Sequence, residues 1–90
     1  MESFNKHLRK EMEDPEFRKM YEEEKYLLEL GLKISEKRKT LGLTQKELAY
    51  RCHVTQQQLS KIENGTNCNL LTFLRITTML GLAIDIPKAS

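Results

Sequence analysis

Two stretches eleven residues apart, LTQKEL at 43–48 and VTQQQL at 54–59, follow one grammar: an apolar residue, a threonine, two polar residues, an acid or amide, and a leucine. Thr44 with Glu47, and Thr55 with Gln58, match the S/T-x-x-E/Q capping box, in which the hydroxyl and the longer side chain satisfy each other's free backbone N–H groups at a helix start. Leu43 with Leu48, and Val54 with Leu59, occupy the two positions of a hydrophobic staple. Two helix starts so close together leave each helix about two turns, joined by the tight connection YRCH. The outline is a helix-turn-helix. Ninety residues, 39% of them hydrophobic, suffice for one small domain with a core if most of the chain is helical.

The flanks supply further helices. Phe4, Leu8 and Met12 form a short stripe at i, i+4, i+8. Asp14, Pro15 and Glu16 then read as cap, first helical residue and dipole-complementing acid, so a helix begins at Pro15. Phe17, Met20, Tyr21, Leu27, Leu28, Ile34 and Leu41 are expected to form its apolar stripe. Gly31 interrupts that stripe, and marks either a bend between two helices or a close contact within one long helix. Gly42 and Gly65 are C-caps of the helices before them. Asn69 caps a last helix ending at Gly81, whose Leu70, Phe73, Leu74, Ile76 and Leu80 are expected to close the core. Ala83 to Ile86 has strand character up to Pro87, and a lone strand needs a partner, a second copy being the obvious one. The expected fold class is all-α: a repressor-like helix-turn-helix bundle with an N-terminal helical extension and a short C-terminal strand.

Charge divides the chain. Residues 1–31 carry nine acids against six bases, a net of −3, and residues 32–90 nine bases against four acids, a net of +5. The division reads as a half facing a polyanion and a half facing something else, the alternative being two ordinary solvated faces. Three segments follow: an acidic partner-binding extension at 1–31, a DNA-binding unit at 32–82, and a tail at 83–90. With no secretory leader in the sequence, Cys52 and Cys68 are expected as free thiols in a cytoplasmic protein. The apolar runs are too short to span a membrane.

Three consecutive glutamines at a helix start need a use. With Gln56 at zero and about 100° per residue, Ser60 falls near 40°, Asn64 near 80°, Gln57 near 100° and Lys61 near 140°, opposite Leu59 and Ile62. Gln58, near 200°, lies outside this polar arc and serves the capping box. A face of amides, a hydroxyl and one lysine has the chemistry of base-edge readout: an amide bonds adenine N6/N7 bidentately, and lysine reaches guanine O6/N7 or a phosphate. A merely solvated face would carry more paired charges.

LGLTQKELAYRCHVTQQQLSKIENG resembles the helix-turn-helix of the phage repressor and Cro class, the XRE family, over about residues 33–81. The resemblance implies that Gln45 anchors a phosphate and orients Gln56, and that Gln56, Gln57 and Lys61 read bases in the major groove. Thr44, Thr55, Ser60 and Asn64 complete the expected DNA contact set. It also implies a structural pair between Arg38 and Glu63, and a homodimer on two-fold operator DNA. The chain departs from the family pattern at His53, where glycine is usual in the turn, and at Cys68, where many relatives have proline.

Other chemistry is not expected. His7, His53, Cys52 and Cys68 never fall at zinc-ligand spacings, no phosphate loop is present, and Glu22, Glu23 and Glu24 fan around a helix rather than face one site. No metal, cofactor or catalysis is anticipated. The acidic, aromatic start of the chain is similar to HigA-type antitoxins of type II toxin-antitoxin modules, which bind a small basic ribonuclease toxin of the RelE/HigB kind and repress the shared operon. That resemblance implies toxin contacts at Phe17, Tyr21, Glu22 and Glu24. A stand-alone regulator of the same family is the alternative. A third reading is an interaction module without DNA binding.

Overall fold

The computed structural model describes residues 13–83. Within them the order is α1 (Pro15–Thr40), α2 (Gln45–Cys52), α3 (Gln56–Glu63) and α4 (Leu70–Leu80). No strand occurs among the described residues. The Phe4–Met12 stripe lies outside them, as does the expected strand apart from Ala83, which is not in a strand.

Each helix starts as its sequence dictates. Asp14 Oδ1 accepts from Glu16 N–H at 2.9 Å. Both capping boxes are complete: Thr44 Oγ1 accepts from Glu47 N–H at 3.0 Å while Glu47 Oε1 accepts from Thr44 N–H at 3.1 Å, and Thr55 and Gln58 do the same at 3.0 and 2.8 Å. Asn69 caps α4 through Thr72 N–H. The four ends are equally uniform. Each closes with a residue of positive φ and two backbone hydrogen bonds that reach back over the last turn. Three of those residues are glycines; the fourth is His53, at φ 57° and ψ 40°.

α1 passes through position 31 uninterrupted, so the glycine marks close contact rather than a bend, and the helix runs across the expected 31/32 boundary. A Cβ at Gly31 would lie 2.5 Å from the carbonyl oxygen of Ile62 and 2.7 Å from that of Glu63. Only a bare Cα lets α1 rest on the end of α3. At 1.5 Å per residue the 26 residues of α1 extend about 39 Å, and burial along it begins at Tyr26 apart from a half-buried Phe17.

Ile34, Leu48, Ala49, Cys52, Leu59, Ile62, Ile76 and Leu80 form the core, with Leu43, Val54, Cys68, Phe73 and Leu82 packed against it. Both stapling residues of the two motif helices are therefore in place. Two sequence expectations need correction. In α1 the bundle covers Ile34 and half-covers Leu27, whereas Met20 and Tyr21 are exposed because the first part of the helix projects past α3 and α4; Leu28, beside Gly65, and Leu41, the C-cap residue, keep about half their surface open as well. In α4, Ile76 and Leu80 are buried and Phe73 half-buried, but Leu70 and Leu74 are 72% and 48% exposed. Their places in the buried arc are taken by Thr72 and Thr77, and Thr77 spends its hydroxyl on Phe73 O at 3.0 Å.

Candidate nucleic-acid interface

α3 is held by its buried side and presents the other. Leu59 is fully buried, Ile62 and Glu63 nearly so, while Gln56, Gln57, Lys61 and Asn64 are exposed and Ser60 half-buried. The arc read from the sequence is the arc that faces solvent. Gln58 spends its amide oxygen on the capping box, as its angular position required. Asn64 donates its amide to Ser60 O at 2.8 Å, so it offers less outward hydrogen bonding than Gln56 or Gln57.

The C-terminal end of α3 is fastened by an ion pair. Arg38 Nε donates to Glu63 Oε2 at 2.8 Å and Nη2 to Oε1 at 3.1 Å, with the two side chains 10% and 6% exposed. Nη1 donates to the carbonyl of Leu43 at 2.8 Å, and Gln45 Nε2 to Glu63 Oε1 at 3.1 Å. One guanidinium thus ties α1, the entry to α2 and the end of α3. No buried side-chain nitrogen or oxygen among the described residues is left without a partner. Gln45, implied by the resemblance to orient Gln56, here donates its amide to Glu63 and is half-buried. Thr44 and Thr55 are exposed, each with its hydroxyl oxygen engaged in a cap.

The joint between α2 and α3 sets how α3 leaves the domain. His53 N–H donates to Tyr50 O at 3.3 Å and Val54 N–H to Ala49 O at 3.0 Å, around the left-handed His53 backbone. A non-glycine residue tolerates this region at a cost, and histidine is among those seen there.

With this geometry in view, the comparison with known families is decisive: the helix-turn-helix family model matches residues 34–86. The chain belongs to the helix-turn-helix family, of the XRE type. This family is one of DNA-binding regulatory domains, not of enzymes. The match takes in α2, α3 and α4 together with the last turns of α1, and it leaves the acidic first half of α1 outside. No curated protein matches the chain.

The remaining site residues lie elsewhere. Phe17, Tyr21, Glu22 and Glu24 are on the projecting half of α1, all exposed but the half-buried Phe17. Among the described residues no three His, Cys, Asp or Glu side chains gather as a metal site, and no helix is long and apolar enough to cross a membrane. Burial pushes the Cys52 and Cys68 thiols up from their ordinary value. The sequence reading missed one surface, a groove between the end of α2 and α4 lined by Arg51, His53, Arg75, Leu71, Leu74 and Met79. Its signal was the placing of Arg75 on the same side of α4 as Leu71 and Leu74.

Proposed function

We propose that this helix-turn-helix protein is a transcriptional repressor that reads operator DNA with α3, Gln56 and Gln57 bonding base edges and Lys61 a guanine or a phosphate. The observation that carries the reading is the exposed, almost uncharged amide face of a helix whose other face is fixed in the core and by the Arg38–Glu63 pair. Gln45, at the start of α2, supplies a backbone phosphate contact beside Thr44 and Thr55. A homodimer on half-sites about one helical turn apart fits the modest positive charge of one protomer.

Selection of bound sequences from randomised duplexes, followed by titration of alanine variants, tests this. Gln56→Ala, Gln57→Ala and Lys61→Ala should each lose about 1–3 kcal/mol of specific binding with unchanged thermal unfolding. Three variants that bind the selected duplex like the parent chain would end the reading.

The projecting half of α1 supports the finer proposal that the protein is also an antitoxin, whose exposed Tyr21, Glu22 and Glu24 with Phe17 bind a small basic ribonuclease toxin. Acids there would compete with RNA for the toxin's basic surface. Recovery of the protein from its host under native conditions should yield a stoichiometric small basic partner. A homodimer that comes alone would leave the stand-alone regulator.

A further inference from the structure

α1 carries a second apolar stripe that the bundle covers only in part: Phe17 is half-buried and Leu28 leans on Gly65 after α3, yet much of the stripe stays open. With Phe17 at zero and about 100° per residue, Leu28 falls near 20°, Tyr21 near 40° and Leu32 near 60°, well away from Leu27, Ile34 and Arg38 on the buried side. Tyr21, Leu28 and Leu32 are 40%, 50% and 57% exposed. Along one edge of this stripe run Arg18, Glu22, Lys25 and Glu29, all exposed.

We infer that this stripe is a contact between two copies of the chain, with their α1 helices antiparallel about a two-fold axis between positions 24 and 25. Such an axis sets Phe17 level with Leu32 of the second copy and Tyr21 level with Leu28, so both apolar pairs form twice. The edge is self-complementary in the same register: Arg18 comes within two residues, about 3 Å along the axis, of Glu29 of the second copy, and Glu22 equally near its Lys25. Reversing one helix against the other thus places each base beside an acid of the other chain, which an interface related by two-fold symmetry requires of a single surface. The contact lies on the side of α1 away from Tyr26, Leu30 and Ile34, and borders the end of α3 where Leu28 meets Gly65. It supplies the dimer that two-fold operator reading calls for, and stands whether or not that reading does. It also sets a condition on any toxin: Phe17 and Tyr21 cannot serve a second copy and another protein at once.

Sedimentation of the full chain without DNA tests it, since mass alone is read. The parent chain should show a concentration-dependent dimer. Tyr21→Ser, at an exposed helix position, should raise the dimer Kd roughly tenfold or more, because each substitution acts twice in the pair. Glu22→Lys should weaken association severalfold, and Glu22→Lys with Lys25→Glu should restore it. Under mild oxidant Lys25→Cys should cross-link to itself quickly. Arg18→Cys should not, its two copies lying thirteen residues, about 20 Å, apart along the axis. A chain monomeric throughout, an unchanged Tyr21→Ser, a charge exchange without rescue, or equal cross-linking at both positions would each overturn the proposal. So would loss of the dimer on ending the chain after Leu82, which would place the contact in the tail.

Discussion

α2 and α3 are each eight residues long, each entered through a threonine capping box and each closed by the same two backbone hydrogen bonds, yet their outward faces differ in chemistry. α2 shows Lys46, Glu47, Tyr50 and Arg51 to solvent, and α3 shows Gln56, Gln57, Lys61 and Asn64. Their inner ends differ too: α2 finishes on the buried thiol of Cys52, α3 on the buried carboxylate of Glu63. The shared caps make both helices form; the residues between the caps give each its own outward chemistry. The capping boxes themselves carry the same division. α2 uses a glutamate, whereas α3 uses a glutamine, so no fixed negative charge stands at the start of the helix proposed to approach DNA.

The largest expected effect separates the two inner ends. Arg38→Met leaves the Glu63 carboxylate buried with Gln45 as its remaining side-chain donor, and should cost about 3–5 kcal/mol in urea unfolding. Arg38→Met with Glu63→Leu should recover most of that loss, since removing both charges also removes the desolvation penalty. If the double variant stays as unstable as the single one, Glu63 fastens α3 by shape rather than charge.

Next comes the difference between the boxes. Thr44→Ala and Thr55→Ala should each destabilise by about 1 kcal/mol near neutral pH. Only the first effect should depend on acid. The Glu47 carboxylate is held below its ordinary value of 4.5 by the hydrogen bond from Thr44 N–H first, then by the Thr44 hydroxyl, burial opposing and Arg51 assisting. A depressed folded pKa contributes stability that is complete above 4.5 and disappears as pH falls through the lowered value. Amide exchange at the start of α2 should therefore quicken below pH 4.5 relative to the start of α3, and Glu47→Gln should abolish the difference. Parallel loss at both helix starts would mean that acid acts on the whole core.

The smallest effect concerns the joint. His53→Gly relieves a left-handed backbone but frees the unfolded chain, and should raise stability by less than about 1 kcal/mol. His53→Val should lower it. A valine variant as stable as the parent would show that the turn has adjusted.

Most of this was legible because capping is local chemistry: a threonine, its partner three residues on and a leucine after that settle where α2 and α3 begin without knowledge of the rest. The amide face followed from the same starting point, since the caps fixed the phase of α3. The exposed leucines of α4 were not legible in that way. That helix is apolar around most of its circumference, so periodicity alone gives it no inner side; Arg75 would have served as the compass, pointing out with Leu71 and Leu74 beside it. The Arg38–Glu63 pair came from family resemblance, because its partners are 25 residues apart and no local rule joins them. Gly31 could be read two ways until α3 was seen to lie against it.

Gly31 has a mechanical consequence. It seats α1 on the carbonyls of Ile62 and Glu63, at the end of the helix with the amide face, while the sixteen residues before it reach about 24 Å beyond that seat. α1 is thus a lever whose fulcrum is the end of α3. Whatever takes hold of the far end, through Tyr21 or its neighbours, applies torque where α3 is anchored, and an added side chain at position 31 would shim the fulcrum and tilt the arm with the amide face itself unchanged.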